Sequence, residues 1–126
     1  MLIAPRESYR LGSYLRAARA LSLETLVVSQ GEHSLVPEIA RGLQVDFRQP
    51  GDALNRIREA VRAHPVDAVI GTDDFSVELA SRVAAALGLS HNPPRAAGMT
   101  RRKDWARARL GRAGVPVPRH RVIDLC

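Results

Sequence analysis

The sequence predicts an α/β domain: a small parallel sheet with helices on both faces, in the order βαβαβαβα, followed by a helix and a C-terminal strand stub. Three observations carry this. Short apolar runs recur along the first 72 residues at intervals of about one strand plus one crossover helix. Stretches with apolar residues at helical spacing lie between them. Prolines and glycines stand where one pattern yields to the next, as at Pro65 and Gly88.

Leu2-Ile3-Ala4 is the first strand. Residues 8–21 place Leu11, Tyr14, Leu15 and Ala18 on one helical face. Leu26-Val27-Val28-Ser29 is the second strand, rich in β-branched residues. A short helix is expected around Val36–Arg41, with Pro37 in its first turn. Val45-Asp46-Phe47 is the third, weaker strand. Asp52 is placed to cap a helix over 53–64 carrying Leu54, Ile57 and Val61, which Pro65 stops. Asp67 to Thr72 is the fourth and clearest strand. Asp73 or Asp74 then caps a helix over 75–87, with Leu79, Ala80, Val83, Ala84 and Leu87 as its stripe and Gly88 just past its end. Connections between parallel strands cross over on the sheet faces, which puts helices on both sides.

Beyond residue 89 the pattern changes. Ser90 to Pro94 is a loop, Thr100 is placed to cap a helix over 101–113, and Gly114 ends it. Val115-Pro116-Val117-Pro118 is extended, and Arg119 to Leu125 reads as the start of a strand.

Composition narrows the function classes. The chain has 126 residues, with 45% apolar and 25% charged, as in ordinary globular domains. No apolar run is long enough to span a bilayer, and the N-terminus has neither a basic n-region nor an apolar h-region. The single cysteine, Cys126, excludes an internal disulfide framework and fits a cytoplasmic location. The formal charge is +6, which raises nucleic acid as a partner. That charge is local, however. Residues 101–121 carry eight basic groups against Asp104 alone, while the remaining residues carry 11 basic and 12 acidic groups. With 18 arginines and one lysine, the basicity reads as an arginine habit rather than a phosphate-binding surface, and neither nucleic acid nor membrane is expected as a partner.

Chemical motifs are sparse. The segment after the first strand contains no GxGxxG and no GxxxxGK[ST], which argues against a dinucleotide cradle and a P-loop. His33, His64, His91 and His120 lack metal-ligand spacing, and no serine stands in a GxSxG elbow. No catalytic or metal-binding residue is therefore assigned. In an open parallel sheet, ligands bind outside the carboxyl ends of the strands, here Pro5–Ser8, Ser29–His33, Arg48–Gly51 and Thr72–Phe75. Thr72, Asp73 and Asp74 at the end of the clearest strand are accordingly the candidate substrate-binding residues. Their other reading is a helix cap with Glu78 as its acidic first-turn companion. In the basic segment, Arg102, Trp105, Arg109 and Arg112 form one helical stripe. Lys103, Ala106, Leu110 and Ala113 form the next. The only lysine of an arginine-rich chain marks a position suited to a compact ammonium.

Several stretches together resemble the N-terminal domain of ATP-grasp enzymes: Val66 to Asp74, Glu78-Leu79-Ala80, Ala86 to Leu89, Asn92-Pro93-Pro94, Arg102-Lys103-Asp104 through Arg107, and Ala113 to Pro118. The branch they resemble is biotin-carboxylase-like and L-amino-acid-ligase-like. The resemblance implies a Rossmann-like pre-ATP-grasp domain over residues 1–93. It further implies a connector over 94–126 that opens the ATP-grasp region. The implied activity of the intact enzyme is ATP-dependent carboxylate–amine ligation through an acyl phosphate, using ATP and Mg²⁺. Lys103 matches the lysine that reaches the ATP phosphates, preceded here by Arg102 where the family commonly has Asp. The second ATP-binding lysine, the acidic hinge and the Mg²⁺-binding Glu and Asn would all lie beyond residue 126. The chain is thus expected to be a truncated ligase fragment, inactive alone, with no cofactor bound to it by itself. Its expected partners are the missing ATP-grasp lobes, a small carboxylate substrate in the intact enzyme, and further copies of itself as a homo-oligomer. Two other readings are a stand-alone ligand-binding or regulatory α/β domain and an arginine-rich nucleic-acid binder.

Overall fold

The computed structural model describes residues 1–30 and 41–123. The elements run β1 (Leu2–Ala4), α1 (Leu11–Ala20), β2 (Leu26–Ser29), β3 (Arg41–Gln44), α2 (Pro50–Arg62), β4 (Ile70–Gly71), α3 (Val77–Ala86), α4 (Pro94–Arg101) and α5 (Lys103–Arg112). The four strands form one parallel sheet in the order β3-β2-β1-β4.

Register decides which side chains go to which face. Leu2 stands opposite Val27 and Ile70, and Ile3 opposite Val28 and Gly71. Successive strand side chains alternate faces, so Leu2 and Val27 share one side, where Leu11, Tyr14 and Leu15 of α1 cover them. Ile3, Leu26 and Val28 share the other with Val45, against Ile57 and Val61 of α2 and Leu79 and Val83 of α3. Ile3, Val28, Ile57 and Val83 are fully buried, each worth roughly 1.5–3 kcal/mol of apolar transfer. The α/β class and the helices on both faces are as the sequence predicts.

Gly71 has a specific reason to be glycine. The first turn of α3 crosses so close that a Cβ there would stand 2.9 Å from Val77 Cα. Three helices end in the same way. After α1, α3 and α5, the residues Ser22, Gly88 and Gly114 take φ of 54°, 69° and 76°. The following amide reaches back in each case, from Leu23 to Ala18, Leu89 to Ala84 and Val115 to Leu110. This is the Schellman arrangement, which satisfies carbonyls otherwise left over at a helix end.

Several boundaries differ from the sequence reading. The third strand is Arg41–Gln44 rather than Val45–Phe47. It is an edge strand whose Arg41, Gly42 and Gln44 are exposed, so no apolar alternation announces it. Val45 follows it, buried, with its N–H donating to the Ser29 carbonyl at 2.9 Å. The helix expected at Val36–Arg41 falls on 31–40, outside the described residues, except that Arg41 belongs to β3. α2 begins at Pro50, so Asp52 lies in its first turn instead of capping it. Proline suits that first position because its missing N–H would have no helical partner. Neither Asp73 nor Asp74 caps α3, whose N-cap is Ser76. The helix expected over 101–113 is α5, and a further helix not expected from the sequence, α4, precedes it across a break at Arg102, whose backbone is extended at ψ 89°. Thr100 lies inside α4, its hydroxyl donating to the Ala97 carbonyl at 2.7 Å. The described part of the predicted strand stub, 119–123, is not a strand. A strand forms only where a neighbour takes its backbone hydrogen bonds.

Candidate functional site at the carboxyl ends of the strands

The chain leaves β1 toward β2 on one side, and β4 returns to pair with β1 on the other. This reversal splays the loops at the carboxyl ends of β1 and β4 and opens a crevice between them. Three side chains lace its two walls together. Ser8 Oγ and Thr72 Oγ1 both donate to Asp73 Oδ2 at 2.5 Å, and the two hydroxyl oxygens are 3.1 Å apart. Thr72 is buried and its N–H donates to the Ile3 carbonyl at 3.0 Å. Behind the cluster, Ser76 Oγ accepts from the Asp73 N–H and donates to the Asp73 carbonyl, which fixes the turn into α3.

Beside the crevice lies a cleft of about 400 Å³. Each strand end contributes to it: Arg6 after β1, Gln30 after β2, Phe47 and Arg48 after β3, and Phe75 after β4. Arg101, the last residue of α4, closes it. The Arg101 guanidinium stacks over the Phe75 ring at 4.6 Å. Arg48 pairs with Asp46 at 3.0 Å, and its hydrogen bonds hold the Asp46 carboxyl below the usual carboxylate range. Among the described residues, Arg6 and Arg101 have no carboxylate within ion-pair distance. The cleft therefore offers the Arg6 and Arg101 guanidiniums, outside ion-pair distance of the Glu7 carboxylate that also lines it, together with the Phe47 and Phe75 rings. Guanidinium presents a planar fork that matches a carboxylate in two parallel hydrogen bonds. Its polar groups can grip an acid, and no histidine lines the cleft to act as a general base.

Of the residues singled out from sequence, Thr72 and Asp73 are brought together, joined by Ser8. None of Thr72, Asp73 and Asp74 lines this cleft, and Asp74 is exposed. Lys103 is the first residue of α5, exposed, and pairs with no carboxylate among the described residues. Mg²⁺ has no ready ligand set here: among the described residues, no three His, Cys, Asp or Glu side chains cluster. Sequence reasoning placed the strand ends but missed Ser8, Arg6, Arg48 and the Arg101–Phe75 stack. The first three lie within strand-end loops that sequence reasoning had marked. The stack needs α4, a helix that sequence reasoning did not find. No helix among the described residues is long and apolar enough to cross a membrane.

Comparison with known proteins gives the fold a context. The model of the ATP-grasp N-terminal domain matches residues 15–91. The crystal structure of an L-amino acid ligase from Bacillus licheniformis superposes with a TM-score of 0.78 at 19% identity, over 93% of this chain and 31% of the ligase. The chain thus spans about a third of that ligase's length. Among curated proteins, no sequence matches.

Proposed function

The chain belongs to the ATP-grasp N-terminal domain family, and from that premise we propose that it forms the substrate-side domain of an ATP-dependent carboxylate–amine ligase. In that reaction the γ-phosphoryl of ATP passes to a substrate carboxylate, giving ADP and an acyl phosphate. An amine then attacks the acyl carbon, forms the amide and expels inorganic phosphate. The charge that develops during phosphoryl transfer calls for metal and cationic groups held in place. The described residues supply part of such a set. The cleft under Arg101 and Phe75 would hold the acid, and Lys103 would reach the ATP phosphates from the first turn of α5. That turn also presents the positive end of the helix. The Mg²⁺ ligands and the rest of the phosphate clamp would come from ATP-clamping lobes outside these 126 residues, and the chain alone would not turn over.

The observation that carries this reading is the cleft. It stands where an α/β sheet binds ligands, and guanidiniums and aromatic rings line it. The test is a coupled assay of ADP release with ATP, Mg²⁺ and a mixture of amino acids. The chain alone is expected to release no ADP, and the chain combined with ATP-clamping lobes is expected to release it. Lys103→Ala in that assembled enzyme should raise the KM for ATP about tenfold or more, with Lys103→Arg failing to restore it. ADP release by the chain alone, or an unchanged KM in Lys103→Ala, would overturn the corresponding part.

A further inference from the structure

The charges around the cleft at the strand ends form a definite pattern. Arg101 reaches it from the last turn of α4. Its guanidinium stacks over the Phe75 ring at 4.6 Å. Stacking uses the planar face and leaves the N–H groups at the edge free to donate. Arg6 and Glu7 reach the cleft from the loop after β1. They are the two central residues of a β-turn, closed by the Ser8 N–H donating to the Pro5 carbonyl at 3.2 Å. The turn is pinned at its end, because the Ser8 hydroxyl donates to Asp73 Oδ2. Ser8 and Asp73 are thus positioning residues: they hold from behind the backbone that presents Arg6 and Glu7.

Arg48 also lines the cleft, but Asp46 neutralises it at 3.0 Å. Among the described residues, Arg6, Glu7 and Arg101 form no ion pair, with each other or with any other group. Two cations and one anion therefore face a ligand, beside the apolar surface of Phe47 and Phe75. We propose that the cleft takes an acidic α-amino acid, a molecule with two carboxylates and one ammonium. One carboxylate would meet Arg101 and the other Arg6. The ammonium would meet Glu7, and the methylene groups between them would lie on Phe75. The proposal rests on the ligase reading of the cleft and names its substrate class.

Other small acids match the charges less well. A monocarboxylate leaves one guanidinium and Glu7 without partners. An amino acid with an apolar side chain leaves one guanidinium over. A dicarboxylate without an amine, or inorganic phosphate, brings only negative charge toward Glu7, and like charges repel. A volume of about 400 Å³ suits a small molecule, since such sites run to about 300–1,000 Å³.

The test titrates the ¹⁵N-labelled chain with four probes at one neutral pH and one ionic strength. They are L-glutamate, glutarate, L-norvaline and inorganic phosphate, followed at the Arg6, Glu7 and Phe75 amides. L-glutamate should bind at least about threefold more tightly than each of the others, which is within the reach of exposed ion pairs. Glu7→Gln should remove its advantage over glutarate and keep its advantage over norvaline. Arg6→Gln should do the reverse. Both variants keep the Ser8 anchor, so the Ser8 amide resonance should stay in place. Equal binding of all four probes, tightest binding of phosphate, or an advantage over glutarate that survives Glu7→Gln would overturn the substrate class and leave the ligase reading standing. No saturable shift with any probe would overturn both.

Discussion

Ser8 and Asp73, 65 positions apart, are joined by a 2.5 Å hydrogen bond from the serine hydroxyl to the aspartate carboxylate. The bond ties the loop leaving β1 to the loop leaving β4, and so holds the crevice at the width its other contacts set. Removing the hydroxyl should lower stability by about 1.5 kcal/mol, the low end for a hydrogen bond to a charged group, because the acceptor keeps a second donor. Ser8→Ala in urea denaturation should show that loss. Thr72→Val should cost at least as much, because Thr72 is buried. The double variant should lose more than the sum, since it leaves that carboxylate oxygen with neither donor.

The close passage of α3 over Gly71 makes a second prediction. The atoms a methyl group would meet are the backbone of Ser76 and Val77, which cannot swing aside as a side-chain tip would. Gly71→Ala should therefore destabilise by about 1–3 kcal/mol. Gly98→Ala is the contrast. Its nearest neighbours are the carboxylate atoms of Glu78, which can move, and its cost in thermal denaturation should be distinctly smaller.

Ser22 holds a left-handed conformation, φ 54°, at the end of α1, where the other two Schellman ends have glycine. A side chain there is opposed by contact between its Cβ and the backbone, at about 1–2 kcal/mol. Glycine relieves that contact but gains freedom in the unfolded chain. Ser22→Gly should raise stability by about 0.5–1 kcal/mol, read as a higher thermal midpoint with an unchanged denaturant slope.

Acid should weaken the start of α5. Arg102 donates to Asp104 and holds its carboxyl below the usual carboxylate range. A carboxyl whose folded pKa is depressed stabilises the fold above its unfolded value of about 3.9, and that contribution is lost as pH falls through the folded value. In carbon-detected NMR, the Asp104 carboxyl should titrate below an unperturbed aspartate. Arg102→Gln should return the midpoint toward the ordinary value. The same titration of Asp46 should be depressed by Arg48 and indifferent to the change at Arg102.

The sheet was legible because its inner strands bury both faces. Leu2, Ile3, Val27 and Val28 are all buried, which requires the continuous apolar runs that sequence reading finds first. The edge strand β3 was not legible, because its side chains face solvent and only Leu43 among them is partly buried. Asp73 and Asp74 after β4 look alike as residues. Only the return of β4 to the side of β1 brings Ser8 to Asp73 and leaves Asp74 exposed. The Arg101–Phe75 stack depends on the break at Arg102, a backbone feature that a run of arginines does not announce.

The most direct measurement of the central claim is a two-dimensional NMR titration of the ¹⁵N-labelled chain with amino acids and short-chain carboxylates. The account predicts saturable shifts at the Arg6, Gln30 and Phe75 amides and at the Arg101 side chain, with dissociation constants in about the millimolar range expected of a partial site. Those shifts should vanish in Arg101→Ala; the exposed Arg101 side chain is no part of the buried core. Carboxylates that leave these resonances unmoved, or that move them equally in Arg101→Ala, would contradict it.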